Sequence, residues 1–118
     1  MSINKAGGIS IHAVDVAAGR PADGMRVELH RLAPQPQKLA EGRLGATGAF
    51  DHASMHGEGV IAGQYEVLFH VGEWLAGQDR DSKFLGTVPF RFTVDDASQH
   101  FHLPFKFTPW GFSLFRGS

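Results

Sequence analysis

Five stretches of this chain alternate apolar and polar residues with a period of two, and that alternation constrains the fold more than any other feature. They are "ISIHAVDV" (9–16), "MRVELHRL" (25–32), "QYEVLFHV" (64–71), "TVPFRFTV" (87–94) and "HFHLPFKF" (100–107). Successive side chains on a strand point to opposite faces, so each stretch presents one core face and one polar face. In the last of them Phe101, Leu103, Phe105 and Phe107 share the core face, and His100, His102, Pro104 and Lys106 share the other. Two weaker strands are expected at "KLAEGRL" (38–44) and "FSLFRGS" (112–118), and "DHASMHGEGVIAG" (51–63) reads as a loop around a short strand. "GEWLAGQDRDSK" (72–83) is the only plausible helix. Gly- and Pro-containing turns ("AAGRPADG", "APQPQ", "GATGAF", "TPWG") separate these pieces. Seven or eight short strands at near-regular spacing predict an all-β antiparallel sandwich with one short helix. Pro89 and Pro104 suit edge or bulge positions, since proline cannot donate to a central ladder.

The 118 residues fit one compact domain, and 42% hydrophobic residues with ten Phe supply a core without staples. Residues 1–8 are polar and glycine-rich and are expected to form a flexible arm, leaving 9–118 as a single domain. The chain has no Cys, which excludes disulfides and thiolate metal sites. A formal net charge of −1 without a basic block argues against nucleic acid and anionic membranes as partners. No apolar run approaches the roughly 18 residues of a membrane span, and the start lacks the apolar stretch of a signal peptide. A cytoplasmic location is the expectation.

Histidine is the commonest carrier of chemistry, with seven copies. His30, His52, His56 and His70 fall in turns or on polar faces, where solvation explains them. His12 lies mid-strand in "SIHAVD". His100 and His102 form an H-x-H pair that on a strand can present two imidazoles to one metal, with His12 as a third ligand. A plain histidine-bearing face explains the same spacing better, because no Asp or Glu is drawn into the set. Lys106, between two core phenylalanines, is either an edge-protecting lysine or, if a partner covers its face, a costly buried ammonium with a function.

Three segments together resemble the 5-hydroxyisourate hydrolases, the transthyretin-related family of purine breakdown: "ISIHAVDVAAGRPADGMRVELHRL", "IAGQYEVLFHVGEW" and "QHFHLPFKFTPWGFSLFRGS". The terminal Arg-Gly-Ser after an aromatic is the most specific mark. The resemblance covers the chain from about Ile9 to its end. It implies a transthyretin-like sandwich, pairing into dimers and then a homotetramer (a dimer of dimers), with the last strands lining a channel where two subunits build each active site. It also implies a small purine-derived substrate, no cofactor and no metal. The reaction implied is hydrolytic opening of the 5-hydroxyisourate ring at its N1–C6 bond. By the same resemblance His12 and His102 match the family's site histidines, and Arg116 and Ser118 match its closing tetrapeptide. Ser113 matches a serine shortly before that tetrapeptide, and His100 belongs to the H-x-H motif beside His102.

The chain departs from the family pattern where it bears on substrate. The family arginine that ends a D-G-R turn is Ala49 here, the tyrosine before R-G-S is Phe115, and the threonine before that is Leu114. Lys106 replaces a family leucine. Two accounts follow. One is a hydrolase acting on a less polar ring, such as an N-methylated hydroxyisourate derived from methylxanthines like caffeine. The other is a catalytically inactive transthyretin-like binding protein. Retention of both histidines and of R-G-S beside a new cation favours the hydrolase, with Lys106 standing in for the lost arginine.

Overall fold

The computed structural model describes residues 7–52, 55, 60–80 and 83–117. His56, Ser118 and most of the expected arm lie outside the described residues. Seven longer strands form the body: β1 (Ile9–Asp15), β3 (Arg26–Ala33), β4 (Gln37–Arg43), β6 (Gly63–His70), β7 (Thr87–Val94), β8 (Phe101–Thr108) and β9 (Gly111–Leu114). Two further ladders of two residues each, β2 (Arg20–Pro21) and β5 (Ala49–Phe50), flank β1. Among the described residues one short α-helix, α1 (Val71–Gly77), follows β6 directly.

The strands make two sheets, one in the order β2-β1-β8-β9 with β5 also on β1, the other in the order β4-β3-β6-β7. The sandwich is as expected, with one departure: β1 and β8 run parallel, with Ser10 opposite His102, His12 opposite Pro104 and Val14 opposite Lys106. Among the described residues the other ladders are antiparallel. The core faces are those the alternation marks. Ile9, Ile11 and Ala13 of β1 and Phe101, Leu103, Phe105 and Phe107 of β8 are buried against Val27, Leu29, Tyr65, Val67 and Phe69. Phe105 and Phe69 stack between the sheets at 4.1 Å, and Trp74 of α1 sets its edge on Phe107 at 5.6 Å. Burying side chains of this size at about 1.5–3 kcal/mol each makes the inner faces the main source of stability. The outer face of the β1–β8 sheet is thereby left for other work.

The helix takes about two turns of "GEWLAGQDRDSK", as expected, and starts one residue earlier, at Val71. Asp79 takes a positive φ of 57°, and the chain turns out of the helix there. Arg80 then reaches the fully buried carboxylate of Asp15, with Nη1 donating at 2.6 Å. The backbone N–H groups of Ala17 and Ala18 donate to the other Asp15 oxygen.

The two prolines divide. Pro89 sits on β7, an edge strand, as expected. Pro104 lies on β8, between β1 and β9, which corrects the expectation of an edge. The β8–β9 ladder stops at Phe105–Leu114 and resumes only as a bridge between His102 and Gly117. Pro104, which has no N–H, falls in that gap, and Phe115 and Arg116 opposite it are released from the ladder.

Candidate active site

The register carries the histidines to one outer sheet face. Ser10 and His12 of β1 point outward with His102 of β8, while Ile9, Ile11, Phe101 and Leu103 point inward. His12 has Pro104 on one side and Ala49 of β5 on the other. Its Nε2–H donates to the Thr47 carbonyl at 2.6 Å, since a carbonyl can only accept. That fixes the ring and leaves Nδ1 as its basic nitrogen. Gly48, beside Thr47, has φ of 86°; a Cβ there would lie 2.5 Å from the Ala13 carbonyl and 3.3 Å from His12 Nε2. The turn "GATGAF" is thus glycine-dependent at the point where it seats His12.

His102 is held by two neighbours. Its Nδ1 is 2.6 Å from Ser10 Oγ, and the same hydroxyl is 2.8 Å from His100 Nε2. The Gly117 N–H donates to the His102 carbonyl at 2.7 Å, and a Cβ on Gly117 would come within 2.8 Å of His102 Cδ2. This gives the Gly of the terminal R-G-S a steric reason. Partial burial pushes the His102 imidazole below its ordinary pKa, and the nearby His100 and His12 push in the same direction. Both effects favour the neutral imidazole, the form that can take a proton.

The remaining candidates are distributed unevenly. Arg116 does not join this face. Its guanidinium lies over the Phe101 ring at 4.1 Å and donates to the Gln99 side chain and the His100 carbonyl, on the opposite side of β8 from His102. It anchors the chain end. Lys106 shares the outer face with Ser113, its partner across the ladder, and its Nζ sits 5.7 Å from the Phe115 ring centroid. Four residues of strand place its Cα about 13 Å from that of His102. Val16, Phe107, Thr108, Gly111 and Phe112 complete a shallow depression of about 320 Å³ around Lys106 and Ser113. Among the described residues no three His, Asp or Glu side chains converge to hold a metal ion.

Ser10 escaped the sequence reading because a serine on a polar face looks like a solvated one. Its place two residues before His12, on the same face, was the available signal. His30 and His70 are likewise not merely solvated. Both rings bond the Glu28 carboxylate on the outer face of the other sheet, at 3.0 and 2.7 Å.

The HIUase/Transthyretin family model matches residues 9–117. The chain is 36% identical to 5-hydroxyisourate hydrolase 2 of Rhizobium meliloti (strain 1021), covering 98% of this chain and all of that protein. It is 37% identical to the 5-hydroxyisourate hydrolase of Deinococcus radiodurans, over 94% and 96% of the two chains. Among solved structures it is similar to Klebsiella pneumoniae 5-hydroxyisourate hydrolase, with a TM-score of 0.80, 32% identity and coverage of 94% and 98%. It also matches an (S)-allantoin synthase with a TM-score of 0.90 and 34% identity, covering 97% of this chain but only 44% of that one.

Proposed function

The chain belongs to the HIUase/Transthyretin family, and from that premise we propose that it is a hydrolase of purine breakdown that opens 5-hydroxyisourate, or an N-methylated analogue of it, at the N1–C6 amide bond. The observation that carries this reading is the placement of two imidazoles, His12 and His102, on one outward sheet face, each fixed through one ring nitrogen. Hydrolysis needs a base for water, a home for negative charge and an acid for the leaving nitrogen. One imidazole takes a proton from water as its oxygen bonds to C6. Charge collects on the C6 oxygen. The N1–C6 bond then breaks, and N1 receives the water proton back from that imidazolium. The second imidazole takes the proton of the new carboxyl group as C6 leaves as a carboxylate.

Lys106 is proposed as the cation that meets that oxygen, with Ser113, His100 and the chain end at Ser118 lining the same site. Ala49 and Phe115 make the pocket less polar than a guanidinium and a phenol would. Methyl groups on the ring nitrogens remove N–H donors and need apolar room, so this lining supports an N-methylated ring. Lys106 is well removed along β8 from the imidazoles of its own subunit. A site completed by a second copy across this face fits that spacing, as does a homotetramer built from two-fold pairs. Trp110 at 68% and Phe112 and Phe115 at 49% exposure supply apolar surface for those contacts. A sedimentation experiment showing only monomer at micromolar concentration overturns the shared site.

The test of activity is the ultraviolet decay of freshly generated hydroxyisourate, plain and N-methylated, with and without the protein. Acceleration of either supports the hydrolase, and the faster of the two identifies the substrate. Acceleration of neither leaves the binding-protein reading, which the loss of an arginine at Ala49 favours.

A further inference from the structure

The contacts around Ser10 form a chain whose proton positions can be worked out from one end. It begins at the Gly7 carbonyl, which can only accept, so the His100 Nδ1 bonded to it carries a proton. A neutral His100 then has a bare Nε2, and the hydroxyl 2.8 Å away must donate to it. Having spent its only proton, Ser10 Oγ can only accept from the other imidazole, whose Nδ1 lies at 2.6 Å. That nitrogen must therefore be protonated.

We propose that Ser10 and His100 are positioning residues that hold His102 as its Nδ1–H tautomer and so leave Nε2 bare as the proton acceptor of the site. The assignment of the base rests on the hydrolase reading, whereas the tautomer does not. His100 is exposed just before β8. Around the pair lie His12 across on β1, Arg116 held on the His100 carbonyl, and Lys106 further along β8. Among the described residues the Ser10 hydroxyl is the hydrogen-bond link between the two rings.

The experiment is nitrogen-resolved NMR of the imidazoles in the whole protein, above the range where histidines are charged. Expected is Nδ1–H for His102 in the wild type and in Ser10→Thr, which keeps the hydroxyl. Ser10→Ala and His100→Phe should both convert it to Nε2–H, the first by removing the acceptor and the second by freeing the hydroxyl to donate. Nε2–H in the wild type, or a tautomer unmoved by either variant, overturns the proposal. In kinetics, Ser10→Ala should lower kcat about tenfold or more with little change in KM, and Ser10→Thr should restore it. A protein inactive on every hydroxyisourate but with His102 as Nδ1–H retires the hydrolase reading and keeps the relay. An active protein with the opposite tautomer does the reverse.

Discussion

Ala49 lies directly across the β1–β5 ladder from His12, exposed on the face where the histidine points outward. Directly opposed residues of an antiparallel pair have Cβ atoms about 4.5–5.5 Å apart, so a longer side chain at position 49 enters the space beside the imidazole. Ala49→Arg combined with Lys106→Leu should shift preference toward the unmethylated ring. The guanidinium regains a planar pair of acceptors and fills the space a methyl would need. Competing plain and N-methylated substrates in one assay reads this as a ratio of kcat/KM. An unchanged ratio removes Ala49 from substrate selection.

Lys106 is tested alone by Lys106→Leu. If its ammonium meets the charge on the C6 oxygen, kcat should fall more than KM rises, by the equivalent of about 3 kcal/mol at most, as for one lost oxyanion donor. Full activity on every isourate tried makes Lys106 an interface residue, which its stacking on Phe115 already permits.

Gly117 should tolerate no side chain. A Cβ placed 2.8 Å from His102 Cδ2 must push the ring aside. Gly117→Ala should therefore cost about tenfold to a hundredfold in kcat through misplacement of the imidazole, while the melting temperature stays near that of the parent. Wild-type turnover in that variant shows that the ring has room to adjust.

Glu28 makes stability depend on acid, away from the site. Hydrogen bonds from His30 and then His70, with Lys38 nearby, lower its pKa from 4.5 to about 2. A carboxylate with a depressed folded-state pKa stabilises the fold fully above its unfolded value and loses that contribution as pH falls toward the folded one. The loss should therefore run from about pH 5 down to about pH 2 and amount to about 2–3 kcal/mol. Urea unfolding of the wild type and Glu28→Gln should differ by that much at pH 7 and converge near pH 2. A constant difference across the range places the effect in packing.

The sequence pattern marks the inner faces well because period-two burial is a local property. Each of Phe101, Leu103, Phe105 and Phe107 is buried where the alternation puts it. Strand direction is another matter. The same alternation serves parallel and antiparallel neighbours, so the parallel β1–β8 pairing that sets Ser10 beside His102 leaves no trace in either segment. β2 and β5 are too short for periodicity to register, although β5 delivers Ala49. Arg116 illustrates a different limit. A motif position shows that a residue is near the chain end, not which side of β8 its guanidinium takes. That choice follows from the gap at Pro104, which frees residues 115–116 from the ladder.

The central claim is that His12 and His102 move the protons of ring opening. Its most direct measurement is the initial rate of ultraviolet decay of fresh hydroxyisourate, in the form the wild type turns over fastest, with folded His12→Ala and His102→Ala compared against the parent in the presence of a chelator. Each substitution should lower turnover about 10²-fold or more, as for a lost general acid or base, and the chelator should leave the parent rate unchanged. Wild-type rates in both variants, or activity that vanishes with chelator and returns with zinc, would contradict the account.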